Sequence, residues 1–254
     1  LIEADPDIVT LPEVPPTPEE QAIAEVAASF VTEGATLQTG IGGVPNAVAA
    51  ILAEREGGDY GVHSEMFTTG LMQLHRAGKI SNARKGQYDG VSITTFCMGS
   101  RELYDWLDGE GRELVRFLPA SEVNDPSLIA RNRALISING ALSVDRFGQV
   151  VADRIAGEEH SGIGGHEDFV TGAAFSEGGR SLICLPSTAE VGGKTISRLV
   201  PRFPEGTCVT TPRHQVDVII TEYGAAELAG LTTVERHEAL AEIAHPDFRD
   251  ALRP

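Results

Sequence analysis

The stretch ATLQTGIGGVPNAVAAILAER, residues 35–55, carries the reading of the fold. Ala35–Thr39 has the length and apolar content of a strand. Gly40-Ile41-Gly42-Gly43 is a turn in which backbone can approach a ligand closely, and Pro45–Arg55 has the apolar repeat of a helix that opens on proline. Strand, glycine turn and helix in succession form one unit of an α/β fold. The turn's N–H groups, backed by the positive helix end, can face an anion or a carbonyl oxygen.

The alternation continues on both sides. Upstream, Thr17-Pro18-Glu19-Glu20 predicts a capped helix start, Ile23, Val26, Ala27 and Phe30 recur at helical spacing, and Gly34 stops the helix. Residues 1–16, ending in Leu11-Pro12-Glu13-Val14-Pro15-Pro16, read as an extended lead-in. Downstream, strands are expected at Tyr60–His63, Val91–Phe96, Leu114–Leu118 and Leu135–Ile138. Helices are expected between them at Phe67–Ala77, Glu102–Leu107 and Pro126–Arg133. The second half supplies strands at Ser181–Leu185, Cys208–Thr210 and Val216–Thr221, then a helix from Thr232 to about Ala244. Single helices between strands predict an α/β fold with a mainly parallel open sheet and helices on both faces. No linker interrupts 17–254, which therefore reads as one domain.

Composition narrows the function classes. The 254 residues are 41% hydrophobic and 22% charged, enough to bury a core. No apolar run reaches 18 residues, so no membrane span is expected. The formal charge of −17 repels phosphate backbones, which argues against nucleic acid, and an anionic ligand would have to be held by local donors. Cys97, Cys184 and Cys208 are far apart in apolar stretches, so reduced, buried thiols and a cytoplasmic location are expected. The seven histidines show no zinc spacing, so a metal site is not expected.

Three places offer chemistry. The first is the Gly40–Gly43 turn. A second glycine turn, Ser161-Gly162-Ile163-Gly164-Gly165, leads into His166-Glu167-Asp168-Phe169. Neither turn matches GxGxxG or the P-loop, and on spacing alone a plain tight turn is the commoner case for each. The third is Glu65, at a strand end beside Met66 and Phe67. There a carboxylate can have a raised pKa and act as base or nucleophile, although a solvated or salt-bridged glutamate is the commoner case. No GxSxG elbow marks a serine hydrolase.

The motifs are more specific in combination. TGIGGVPNAV (39–48), VHSEMF (62–67), NDP (124–126), INGAL (138–142) and GIGG (162–165) with DF (168–169) occur in that order. LPST (185–188), TTPR (210–213), TEYG (221–224) and AHPDFR (244–249) follow. From about residue 15 onward the chain resembles the C-terminal half of the acetyl-CoA hydrolase/transferase family, which includes 4-hydroxybutyrate, butyrate and succinate:acetate CoA-transferases. The resemblance implies a catalytic domain of CoA-transferase-like fold. Glu65 would attack an acyl-CoA, pass through an acyl-glutamyl anhydride to a glutamyl-CoA thioester, and hand CoA to an acceptor carboxylate.

By the same resemblance Gly40, Ile41, Gly42, Gly43 and Val44 line the thioester site. Asn124 and the Gly165 backbone donate to the oxyanion, and Lys194 is a weaker candidate for a CoA phosphate contact. The implied ligands are a CoA thioester, as substrate, and a small carboxylic acid, with no permanently bound cofactor. The resemblance also implies a comparable N-terminal half, absent from these residues or held on a partner subunit, whose loss would leave an apolar face, and a homo- or hetero-oligomer. Thr69, His166 and Thr171 stand where Asp, Gln and Arg are common, which bears on acyl specificity. An acyl-CoA hydrolase using Glu65, or a non-catalytic CoA-binding or assembly subunit, are the alternatives.

Overall fold

In the computed structural model, which describes residues 8–155 and 157–253, helix α1 (Pro18–Ser29) starts where its capping signals place it. Thr17 N–H donates to Glu20 Oε2 at 2.8 Å, and Glu20 N–H to Thr17 Oγ1 at 3.2 Å. Then follow β1 (Thr36–Thr39), α2 (Gly43–Glu54), β2 (Gly61–Val62), β3 (Met66–Thr68) and α3 (Thr69–Arg76). The next segment holds β4 (Ser92–Thr94), β5 (Phe96–Met98), α4 (Arg101–Asp108), β6 (Val115–Phe117), the single turns α5 (Ala120–Val123) and α6 (Pro126–Ile129), and β7 (Leu135–Gly140). Short strands β8 (Ser143–Asp145), β9 (Val150–Val151), β10 (Arg154–Ile155) and β11 (Glu158–Glu159) precede α7 (His166–Phe175). The chain continues through β12 (Arg180–Cys184), the hairpin of β13 (Thr188–Val191) and β14 (Lys194–Ser197), and β15 (Leu199–Val200). It then forms β16 (Val218–Thr221), β17 (Gly224–Glu227) and α8 (Thr233–Glu242).

The central sheet has the order β2-β1-β7-β12-β16-β17, parallel throughout except for β17 at one edge. Its side chains alternate between two cores, as a strand period of two requires. Ile136, Ile138, Leu182, Val218 and Ile220 pack with the residues of α1 and α2. Their neighbours face the other way: Ile183 and Ile219 pack with Leu240 of α8, and Leu135 packs with Phe169 of α7. The predicted α/β class, with helices on both faces, is what the chain adopts.

Several boundaries differ from the sequence reading. Helix α2 begins at Gly43 rather than Pro45, because the first-turn N–H groups need no intrahelical acceptor and proline's missing donor costs nothing there. Met66–Thr68 is a strand paired with Phe96–Met98, so α3 starts at Thr69. Cys208–Thr210 is not a strand: only Thr211 bridges, to Val150, and Cys208 is exposed, so burial is confined to Cys184 with Cys97 intermediate. Of the lead-in, residues 8–16 are irregular and tied down by Leu11 N–H to Gly99 O at 2.9 Å, while 1–7 lie outside the described residues.

Two polar groups sit beneath the helices, one half-buried and one sealed. His75 on α3 is hydrogen-bonded to Ser92 Oγ at 2.8 Å and lies against the Trp106 ring, which stacks on Phe67. Lys85 is fully buried, and its Nζ donates to Val62 O at 3.2 Å and Val91 O at 2.5 Å. Its stem occupies the space where a Gly61 side chain would stand.

Helices α6 and α7 touch through Gly172, where an added Cβ would lie 2.2 Å from Ile129 Cγ2. Because α7 carries the second glycine turn at its head, this contact fixes the turn's position. Gly172→Ala is expected to destabilise the fold by about 1–3 kcal/mol through overpacking. Urea unfolding of the two proteins measures it, and equal midpoints would contradict the close approach.

Candidate functional site

The strand order carries a switch: from β1 the chain moves outward to β2 and later returns to β7 on β1's other side. In parallel sheets such a reversal opens a crevice at the carboxyl ends of the two strands. Here Gly40 and Ile41 leave β1, Asn139 and Gly140 end β7, and Glu65 joins them around a cavity of about 370 Å³.

The main chain of Glu65 is fixed before its side chain is considered. Its carbonyl accepts the N–H groups of Thr95 and Phe96, at 3.0 and 3.2 Å, and the Thr94 hydroxyl at 2.9 Å. The preceding Ser64 is buried, and its hydroxyl donates to Met66 O at 2.8 Å. The half-buried carboxylate then meets the second glycine turn. Glu65 Oε2 accepts the Gly165 N–H at 2.7 Å. Gly165 is the N-cap of α7, so the positive end of the helix faces the carboxylate. The approach depends on glycine: a Cβ at 165 would lie 2.6 Å from both Glu65 Oε2 and Asn124 Nδ2. Gly164 beside it has φ +60°, in the left-handed region.

The Asn124 amide and the Glu65 carboxylate therefore flank the same space, on the side of Gly165 where a Cβ would project. Asn124 Nδ2 donates to Asp168 Oδ2 at 3.4 Å, and its Oδ1 is buried without a hydrogen-bond partner among the described residues. Burial pushes the Asp168 carboxyl above its usual range, and the charges of Glu65 and Asp125 push it further. His166 lines the cavity and is buried; its Nε2–H donates to Thr211 Oγ1 at 3.0 Å, whose hydroxyl donates in turn to Glu167. Burial pushes His166 down to about 4. His63, two residues before Glu65, is fully enclosed, and burial, with the Lys85 charge nearby, pushes it down to about 4.

Of the residues singled out in the sequence, Glu65, Asn124 and Gly165 are brought together, and Gly40 and Ile41 share their cavity. Gly42, Gly43 and Val44 line an adjoining space of about 180 Å³, and Val44 is mostly packed into the core. Lys194 is exposed at the start of β14, away from the cavity lining. Asp168 and His63 carried no assigned role in the sequence, although both fall inside motifs quoted there. Exposed Ile41, Phe96 and Ile163 belong to the cavity wall, so its mouth is apolar. Among the described residues no group of His, Cys, Asp and Glu is placed to hold a metal, and no helix is long and apolar enough to cross a membrane.

The sequence profile of the acetyl-CoA hydrolase/transferase C-terminal domain matches residues 99–254. The chain is 42% identical over 233 residues to the 4-hydroxybutyrate coenzyme A transferase of Clostridium kluyveri, covering 92% of this chain and 53% of that protein. It is 41% identical over 245 residues to the probable butyrate:acetyl-CoA coenzyme A-transferase of Syntrophomonas wolfei, covering 96% and 54%. Among solved structures, RipA from Yersinia pestis matches with a TM-score of 0.89 at 41% identity, over 96% of this chain and 54% of that one. The 4-hydroxybutyrate CoA-transferase of Porphyromonas gingivalis matches with a TM-score of 0.83 at 38% identity, over 99% and 58%. The chain thus spans about half the length of the curated relatives it matches.

Two buried imidazoles and one half-buried one give a pH dependence with a definite sign. His63, His75 and His166 all titrate near 4 in the fold, against 6.5 for a free imidazole. As pH falls below 6.5 the unfolded chain takes up protons that the native state refuses. Stability is therefore lost between pH 6.5 and 4, at up to about 1.4 kcal/mol per pH unit for each imidazole. Urea unfolding at pH 7, 6 and 5 tests this; a flat profile, or imidazole NMR titrations centred near 6.5, would refute it.

Proposed function

The chain belongs to the acetyl-CoA hydrolase/transferase family, and from that premise we propose that residues 17–254 form the catalytic domain of a CoA-transferase with Glu65 as its nucleophile. The observation that carries this reading is the 2.7 Å hydrogen bond from the Gly165 N–H to the Glu65 carboxylate, with the Asn124 amide just beyond. The names of the relatives support the substrate class: short-chain acyl-CoA as donor and a small carboxylate as acceptor.

In this mechanism a Glu65 oxygen attacks the thioester carbon of acyl-CoA. The C–S bond breaks, CoA leaves as thiolate, and an acyl-glutamyl anhydride remains. The thiolate then attacks the glutamyl carbonyl, expels the donor acid as carboxylate and leaves a glutamyl-CoA thioester. An acceptor carboxylate reverses both steps, taking the CoA and restoring free Glu65. No net proton or electron is required, and each step trades one activated acyl bond for another.

The geometry suits the step that is hardest in water. Once Glu65 is acylated, its remaining oxygen is a carbonyl oxygen that becomes an oxyanion under attack. The Gly165 N–H already lies on a carboxylate oxygen, so it needs no reorganisation to hold that charge, and the Asn124 amide is within a small side-chain movement. The positive end of α7 adds a fixed favourable field. Gly40 and Ile41 leave the opposite wall open to backbone donation toward the thioester. CoA enters as substrate, and these steps draw on no resident cofactor.

The apolar mouth at Ile41, Phe96 and Ile163 is, on this reading, where the relatives' other half packs, within one chain or across an oligomer. Lys194 reaches a CoA phosphate only if the long nucleotide arm runs out along the β13–β14 hairpin.

Full-length protein incubated with acyl-CoA and reduced with borohydride should show a trapped modification at Glu65 by mass spectrometry. Glu65→Gln should abolish both the adduct and CoA exchange. Asn124→Ala should lower kcat by about 10²–10³ with little change in KM. Absence of any adduct in active protein would refute the nucleophile; an adduct that yields acid and free CoA, without passing CoA to a carboxylate, would make the enzyme a hydrolase.

A further inference from the structure

Three chain segments distant in sequence must keep register for the site to exist: the β2–β3 junction bearing Glu65, the C-cap of the α5 turn, which is Asn124, and the head of α7 bearing Gly165. One side chain touches all three. His63 is 0% exposed and sits two residues before Glu65. Its Nε2 lies 2.8 Å from Val123 O, the carbonyl immediately before Asn124. Its ring meets Phe169 edge-on, with centroids 6.1 Å apart. Phe169 belongs to the first turn of α7, where its N–H donates to Gly165 O at 3.0 Å.

The tautomer follows from the partners. A carbonyl only accepts, so Nε2 carries the proton and donates to Val123. Nδ1 is then an acceptor, and the Asn132 Nδ2 faces it at 3.1 Å as donor. Asn132 is itself held, donating to Ile129 O at 2.9 Å and accepting the Ser176 hydroxyl at its carbonyl. Every polar atom of the ring is thus spent on segments that hold site residues or their supports. The enclosed, neutral imidazole described above keeps this pattern unchanged through the neutral pH range. A buried apolar side chain would fill the same space without fixing the Val123 carbonyl.

We propose that His63 is a positioning residue, which sets the Glu65 carboxylate against Asn124 and Gly165 by joining the three segments through one ring. Its effect on turnover rests on the reading of Glu65 as nucleophile. The arrangement itself does not, so the two are tested separately. Glycine-selective ¹⁵N labelling of the full-length protein follows the Gly165 amide, whose proton lies on the Glu65 carboxylate and whose resonance Glu65→Gln identifies by moving it.

Three variants separate positioning from filling. In His63→Gln the Nε2 donor still reaches Val123, so the Gly165 resonance and kcat should stay near wild type. His63→Asn is too short to reach, and His63→Leu has no donor. Both should move the Gly165 resonance and lower kcat by about a hundredfold, the cost of a displacement near 1 Å, with KM for the CoA thioester little changed. If His63→Leu does not fold, the contrast between Gln and Asn decides. A wild-type Gly165 resonance and kcat in His63→Asn or His63→Leu, with only the melting temperature lowered, would overturn the proposal. So would equal losses in Gln and Asn. If wild type transfers no CoA, the functional reading fails while the Gly165 resonance still decides the positioning role.

Discussion

The hydrogen bond between the Gly165 N–H and the Glu65 carboxylate joins positions a hundred residues apart, and much of the fold is arranged around it. A backbone donor can meet a half-buried carboxylate at 2.7 Å only where no Cβ intervenes, so residue 165 has to be glycine. The donor can be fixed only if its helix is fixed, which Gly172 against Ile129 and Phe169 against His63 accomplish. The carboxylate can be fixed only if its main chain is fixed, which three donors from residues 94–96 accomplish. The sheet supplies the remaining constraint by opening its crevice at the ends of β1 and β7, beside the place where these segments meet.

Much of the scaffold was legible in local chemistry. The capping boxes at Thr17 and Thr232 set helix starts to the residue, since they satisfy donors within three positions and need no distant partner. Strands β12 and β16 showed as apolar runs because both sheet faces are covered. What escaped was whatever depends on remote pairing. Met66–Thr68 reads as helix until Phe96–Met98 is laid beside it. Helix α7 escaped because its N-cap is Gly165, which has no side chain to announce a start. The strands from β8 to β11 are two or three residues long, too short to show any period.

The site divides along the same line. Glu65, Asn124 and Gly165 are unremarkable singly, since a glutamate at a strand end, an asparagine in a turn and a glycine before a helix are all common. Their meaning came from the order of motifs across the chain, and the fold brings them to one place. Asp168 and His63 stayed unread because what distinguishes them is what they touch, the Asn124 amide and the neighbouring Val123 carbonyl, both remote in sequence from the residues that meet them. Lys194, a cation beside glycines, sits exposed on a hairpin away from the cavity lining, so only the path of a bound CoA arm would give it a part in the site.

The lysine that matters to the fold is the one sealed beneath β2. Burial brings the Lys85 ammonium down to about 7, well below the usual range for its kind, while its Nζ remains bound to the Val62 and Val91 carbonyls. In the unfolded chain the same group is fully protonated at neutrality. Folding at pH 7 therefore releases a fraction of a proton from this one site to the surrounding buffer. The heat of folding measured by calorimetry then contains a share of the buffer's own ionisation enthalpy, and phosphate and Tris would report different values for the same transition.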